Sequence, residues 1–169
     1  MTQKLSQSLQ EQLKDKKILI LGFGREGQST YHLLRAIFPE KELFIMDKNK
    51  VDDTFLSDTK IKLAATYLDK LEGYDVIFKT PGISILEPNL QAYIQNGGKI
   101  TSQSNEFLCV YANQVIGVTG TKGKSTTSSI IFHILKRNRL ASEHRVWVEF
   151  VDDTLYLVTH QRPYLHLIS

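Results

Sequence analysis

Two glycine-rich stretches carry the residue types that handle phosphates. The first, Gly22-Phe23-Gly24-Arg25-Glu26-Gly27, has the spacing GxGxxG. Glycines so spaced permit a tight turn and let backbone N–H groups approach a diphosphate at the start of a helix. Asp47 stands twenty residues after Gly27, where a carboxylate accepts hydrogen bonds from a ribose hydroxyl. The pattern serves NAD or any nucleoside diphosphate, and a turn that only packs a helix on a sheet has the same spelling. The second stretch runs from Val115 to Thr127 and contains Gly123-Lys124-Ser125, the phosphate end of a P-loop. There the backbone cradles phosphates, Lys124 reaches the β- and γ-phosphates, and the Ser125 hydroxyl ligates Mg²⁺. The strict GxxxxGK[ST] spacing is not met, because Val118 occupies the first glycine position and the glycines fall at 117, 120 and 123.

Both stretches need a strand before them and a helix after them. Lys17 to Leu21 is a compact apolar run ended by Gly22, which reads as a buried parallel strand. The following helix carries Tyr31, Leu34 and Phe38 on one stripe, with Leu33 and Ile37 beside it, and Pro39 stops it. Further strands are expected at Leu43 to Met46, Ile61 to Ala64, Asp75 to Lys79 and Lys99 to Thr101. Helices are expected at 4–14, with Leu5, Leu9 and Leu13 on one face, at 88–96 before Asn96-Gly97-Gly98, and from Asn105 to Tyr111. Val115 to Thr119 is a fresh strand, and Lys124 to about Asn138 a long helix. Alternating strands and helices predict an α/β chain with a parallel, doubly wound sheet covered on both faces. The domain boundary is expected near 109–114. Beyond it, one strand and one helix are too few to cover both faces of a sheet.

Composition narrows the function classes. The 169 residues are 41% apolar and 23% charged, with a net charge of +3 from 21 basic and 18 acidic residues. The basic residues are dispersed, so nucleic acid is not an expected partner. The single cysteine, Cys109, precludes an internal disulfide and reads as a small buried residue in a reducing compartment. Residues 1–17 lack the apolar core of a signal peptide, and no run approaches the ~20 residues of a membrane span. A cytoplasmic protein without membrane insertion is therefore expected, and a monomer is the expected state.

The form Thr119-Gly120-Thr121-Lys122-Gly123-Lys124-Ser125-Thr126 resembles the ATP loop of the Mur ligases and their folate-ligase relatives. Ser104-Asn105-Glu106-Phe107-Leu108 resembles the segment ahead of that loop in the family's D-glutamate-adding branch. Gly22 to Gly27 is similar to its uridine-diphosphate loop, and Thr80-Pro81-Gly82-Ile83 to its Ser-Pro-Gly-Ile turn. The resemblance covers about residues 14–137. It implies a Rossmann-like domain over 1–109 that binds the UDP substrate, followed over 110–169 by the start of a P-loop central domain.

The reaction so implied belongs to peptidoglycan synthesis. ATP with Mg²⁺ phosphorylates the carboxylate of UDP-N-acetylmuramoyl-L-alanine, and the amine of D-glutamate attacks the acyl phosphate. By matching position, Gly24, Arg25 and Glu26 lie at the diphosphate, Asp47, Lys48 and Asn49 contact ribose or uracil, and Gly82 walls the uracil pocket. Gly120, Thr121, Lys122, Gly123, Lys124, Ser125 and Thr126 form the ATP loop, with Lys124 catalytic and Ser125 a metal ligand.

Residues 139–169 match nothing in that family. They read as two alternating strands, Arg145 to Val151 and Leu155 to His160, and a frameshift, a truncated reading frame or an expression artefact would account for them. Glu143 and Glu149 read as solvated charges, and His144, His160 and His166 are too irregularly spaced for a metal site. The family's glutamate, histidine and carbamylated lysine cannot be placed, so this length of chain is expected to be inactive alone. Three other readings stand beside the D-glutamate one. An L-alanine-adding ligase would open its first loop with His-Ile-Gly, which is missing here. An NAD-dependent oxidoreductase has no use for a γ-phosphate loop. A non-catalytic nucleotide-binding module would bind without turnover.

Overall fold

The computed structural model describes residues 3–63, 66–111, 115–118, 121–137, 148–151, 154–158 and 166–168. The chain divides into two compact units, Met1–Glu106 and Phe107–Ser169. The division falls within a helix, Gln103–Tyr111.

The first unit runs α1 (Gln3–Leu13), β1 (Ile18–Leu21), α2 (Arg25–Ile37), β2 (Leu43–Met46), α3 (Asp53–Leu56), β3 (Ile61–Leu63), a 3-10 turn Leu71–Gly73, β4 (Val76–Lys79), α4 (Pro88–Gln95) and β5 (Lys99–Thr101), then enters α5 (Gln103–Tyr111). All five strands are parallel, in the order β3-β2-β1-β4-β5. In β1 all four residues are buried, as an apolar strand covered on both faces requires. Leu19 and Leu21 join Met46, Ile77, Leu71, Leu90 and Tyr93 in one cluster. Side chains alternate along a strand, so Ile18 and Ile20 face the opposite side, where α2 packs on β1 and β4 and α1 on α2. Leu5, Leu9 and Leu13 are the buried residues of α1.

Local signals set the helix ends. Phe38, the residue before Pro39, caps α2, because proline disfavours helical backbone in its predecessor. Arg35 closes that end, donating from Nη1 to the carbonyls of Phe38, Pro39 and Lys41 at 3.0, 3.0 and 2.8 Å. At α4, Pro88 occupies the first turn and Gly97 has φ +84°. Gly97 N–H bonds Ile94 O and Gly98 N–H bonds Tyr93 O, both at 2.9 Å, a Schellman closure. The four-residue α3, capped by Asp52 accepting from Thr54 N–H at 2.9 Å, is too short to show a helical period in sequence.

The second unit contains β6 (Val115–Val118), α6 (Lys124–Arg137), β7 (Val148–Val151), β8 (Thr154–Val158) and β9 (His166–Ile168). Its sheet has the order β7-β8-β6-β9. β7 and β8 form an antiparallel hairpin, β8 pairs antiparallel with β6, and β9 pairs parallel with β6. The two strands expected at Arg145 to Val151 and Leu155 to His160 appear as β7 and β8, and what the sequence left out is β9 and the pairing of β8 and β9 with β6. A strand of three residues, such as β9, is too short to reveal an alternation. Cys109 is a correction. It is exposed rather than buried, because α5 buries Glu106 and Tyr111 and Cys109 lies with Asn105, one turn away, on the opposite face. Among the described residues no helix is long and apolar enough to cross a membrane.

Candidate functional site

The strand order reverses between β1 and β4: β2 and β3 extend to one side, and β5 lies beyond β4. Parallel sheets bind ligands in the crevice outside the carboxyl ends of strands at such a point. Gly22–Gly27 follows β1, Asp47–Asn49 follows β2 and Thr80–Gly82 follows β4, and these strands are neighbours in register. Three sequence-distant segments therefore meet at one edge of the sheet.

The glycines of the first loop have separate duties. Gly22 has φ +89°, and a Cβ there would lie 2.1 Å from Thr80 Oγ1. A Cβ on Gly27 would lie 2.0 Å from the Gly22 carbonyl oxygen, so this glycine lets α2 approach the turn. Gly24 differs: nothing lies within 4 Å of where its Cβ would be. It is the N-cap of α2 and provides no side-chain cap to the first N–H groups of the helix. Packing thus accounts for Gly22 and Gly27, while Gly24 leaves open space in front of uncapped donors. Such a place suits an anion. Arg25 is exposed beside it, and Glu26, also in the first turn, adds a charge of the opposite sign.

Asp47 acts as a strap. One carboxylate oxygen accepts the Phe23 N–H, tying the end of β2 to the glycine loop, and the other accepts the Asn49 N–H at 2.6 Å. A carboxylate offers about four lone-pair sites, so these bonds leave room for a hydroxyl. Lys48 and Asn49 are exposed on the following turn. Gly82 is exposed and has nothing within 4 Å of a built Cβ. Its turn is held by Lys79 Nζ, which donates to Thr80 O at 3.0 Å and Ile83 O at 2.8 Å. Sequence reasoning passed over Lys79. Its one signal was a charge closing the apolar run Val76-Ile77-Phe78.

The glycine loop is also braced by aromatic rings. Phe23 meets Phe55 edge-on at 5.0 Å and Tyr31 at 6.1 Å. The Tyr31 hydroxyl donates to Asp58 at 2.7 Å, and Arg35 Nε lies 2.8 Å from the same carboxylate oxygen. Partial burial pushes the Asp58 carboxyl up, but the Tyr31 hydroxyl, the Lys60 N–H and Arg35 together bring it below its ordinary range.

In the second unit, β6 leads toward the other loop and α6 opens at Lys124. Gly120 lies outside the described residues. Thr121, Lys122, Gly123, Ser125 and Thr126 are exposed, while Lys124 is half-buried. Gly123 has φ +79° with open space at its Cβ position, and its carbonyl accepts Thr127 N–H at 2.9 Å. Ser128, which the sequence did not single out, donates back to the carbonyls of Lys124 and Ser125 at 2.8 and 3.1 Å. Val118 is buried against Ile116, Ile131 and Phe132, fixing α6 on the strand. The result is strand, glycine turn and helix N-terminus, a shape compatible with phosphates and a metal-bound hydroxyl.

A cleft of about 480 Å³ elsewhere is lined by Lys16, Lys70, Tyr74, Asp75, Tyr93 and Gly97, among others. Lys16 and Asp75 precede β1 and β4, at the amino ends of these strands. None of the expected site residues lines it.

No family model matches the chain. Individual proteins do. It is 43% identical over 143 residues to the UDP-N-acetylmuramoylalanine–D-glutamate ligase of Clostridium botulinum strain Okra, and 32% identical over 142 residues to that of Clostridium acetobutylicum. Each match covers 80% of this chain and 30% of the relative, so the chain spans less than a third of the length of the relatives it matches. A solved Neisseria meningitides UDP-N-acetylmuramate:L-alanyl-γ-D-glutamyl-meso-diaminopimelate ligase has 18% identity and a TM-score of 0.45, covering 90% of this chain and 52% of its own, a likeness too slight to argue from. Over the matched stretch the chain is a Mur ligase sequence. The members of that family that it matches are ligases of the D-glutamate-adding kind.

Proposed function

We propose that the first unit binds the uridine diphosphate end of UDP-N-acetylmuramoyl-L-alanine and that the second carries the ATP loop of a D-glutamate-adding ligase. The observation that carries the first half is the division of labour in Gly22–Gly27. Two of the glycines answer to packing, and Gly24 holds open a space before uncapped helix donors. The diphosphate lies there, with Arg25 offsetting its charge. The ribose hydroxyls bond the free lone pairs of Asp47, and the uracil lies toward Lys48, Asn49 and Gly82. The similarity to D-glutamate-adding ligases favours uridine over NAD.

At the second loop, Gly123 and the start of α6 would hold phosphates, Lys124 would pair with the β- and γ-phosphates, and Ser125 would ligate Mg²⁺. ATP with Mg²⁺ supplies an activated phosphoryl group whose transfer to the substrate carboxylate makes it reactive toward the amine. Lys124 stabilises charge developing on the transferred group. These residues belong to a cytoplasmic enzyme of peptidoglycan synthesis that acts as a monomer. The 169 residues on their own bind but do not ligate. Ligation needs carboxylate, γ-phosphate and amine held in line and metal held from both sides.

The test is phosphate release by the purified chain with ATP, Mg²⁺, UDP-N-acetylmuramoyl-L-alanine and D-glutamate, alongside melting shifts with ATP·Mg²⁺ and UDP separately. Stabilisation by each nucleotide without turnover is expected. Turnover that needs all four components and disappears in Lys124→Ala would overturn the inactivity. Failure of both nucleotides to stabilise the chain would overturn the binding assignment.

A further inference from the structure

One aromatic side chain near Asp47 stays partly exposed. Tyr67 is 39% exposed, whereas Tyr31 and Tyr93 are 7% and 5% exposed within the same unit. Its place is nevertheless fixed. The next residue, Leu68, has φ +57°, a left-handed backbone that is strained outside glycine. Such strain persists where the surroundings impose it, and it gathers around ligand sites. Here Leu68 buries its side chain among Met46, Leu71 and Leu90. Its N–H points to Met46 Sδ at 3.0 Å, and its carbonyl accepts from Asn89 Nδ2. Lys70 is left-handed as well, at φ +51°, and Thr66 bonds Asp69 at 3.2 Å.

This strap is anchored on Met46, the residue immediately before Asp47. Turning Leu68 inward leaves Tyr67 outside, at the carboxyl edge of the sheet. The Tyr67 hydroxyl feels Asp47 from the end of β2 and Glu87 from the segment between β4 and α4. Burial first, and then these two carboxylates, raise its pKa above the ordinary value, so the ring is neutral at physiological pH. The two flanking segments are those assigned above to ribose, uracil and the pocket wall.

We propose that Tyr67 is a specificity-determining residue of the nucleotide site, its ring lying against the pyrimidine base of the uridine ligand. The inference rests on the uridine reading of that site. A flat aromatic surface suits a base whose edges are otherwise met by polar groups, and the strained Leu68 holds that surface in place before any ligand arrives.

The test is calorimetric titration of UDP and ADP into the 169-residue chain and into Tyr67→Phe, Tyr67→Leu and Tyr67→Ala, with the melting temperature of each variant. Tyr67→Phe is expected to bind UDP within about threefold of the parent. Tyr67→Ala and Tyr67→Leu are expected to lose about tenfold in UDP affinity and most of the preference for UDP over ADP, while melting near the parent. If the parent binds UDP and both truncated variants bind it equally well, the assignment of Tyr67 fails and the uridine site stands. If the parent does not bind UDP, the uridine reading fails and this inference with it.

Discussion

At the scale of single residues, the proposed site separates groups that shape it from groups assigned to a ligand. Gly27→Ala drives a methyl to 2.0 Å from the Gly22 carbonyl, an overpacking against backbone that costs about 1–3 kcal/mol or more. Urea denaturation should register that loss before any ligand is added. Gly24→Ala places its methyl in open space. Its melting temperature should stay near that of the parent while UDP affinity drops at least about tenfold. Asp47→Ala is intermediate, since its carboxylate straps Phe23 and, on the proposed reading, also bonds the ribose. It should lose about 1–3 kcal/mol of nucleotide affinity, together with some stability. Asp58 provides a pH signature. Its folded pKa lies below the ordinary value of 3.8, so its stabilisation is complete above that value and is lost as pH falls through the folded pKa. Asp58→Asn should therefore be less stable than the parent at pH 7, by on the order of 2 kcal/mol. As pH falls through the folded pKa the two should converge; a gap that stays equal as the pH falls would remove the carboxylate from this role.

At the scale of elements, what the sequence revealed depended on length and period. The four-residue apolar run of β1 and the glycine closure of α4 were legible because each has a strong local cause. The meeting of Gly22, Asp47 and Gly82 followed from parallel order, which alternating strands and helices already imply. The strap made by Asp47 was not legible, because a spacing of twenty residues fits a ribose contact and a backbone contact equally well. Nor was the Tyr67 strap, which depends on a left-handed leucine that no residue type announces. The exposure of Cys109 depends on which face α5 buries, and a short helix of mixed polarity leaves that open. In the second unit, the alternation of the hairpin was visible but its pairing with β6 was not, since long-range pairing leaves no local mark. That pairing makes a prediction: removal of residues 139–169 takes both neighbours from β6. Hydrogen exchange should find the amides of Ile116 to Val118 protected in the full chain and fast in one ending at residue 138. Equal protection would show that β8 and β9 contribute nothing to that strand.

At the scale of the whole molecule, the two loops belong to separate compact units. Substitutions without shared partners add in free energy. Lys124→Ala should therefore remove stabilisation by ATP·Mg²⁺ and leave UDP affinity within about twofold, while Gly24→Ala does the reverse. Melting shifts with each nucleotide separate the two effects. The most direct measurement is calorimetric titration of the chain with UDP-N-acetylmuramoyl-L-alanine and, separately, with NAD. Stoichiometric binding of the uridine ligand, tighter than that of NAD and weakened at least about tenfold by Gly24→Ala, is the expected result. Tighter binding of NAD, or uridine binding indifferent to Gly24→Ala, would contradict it.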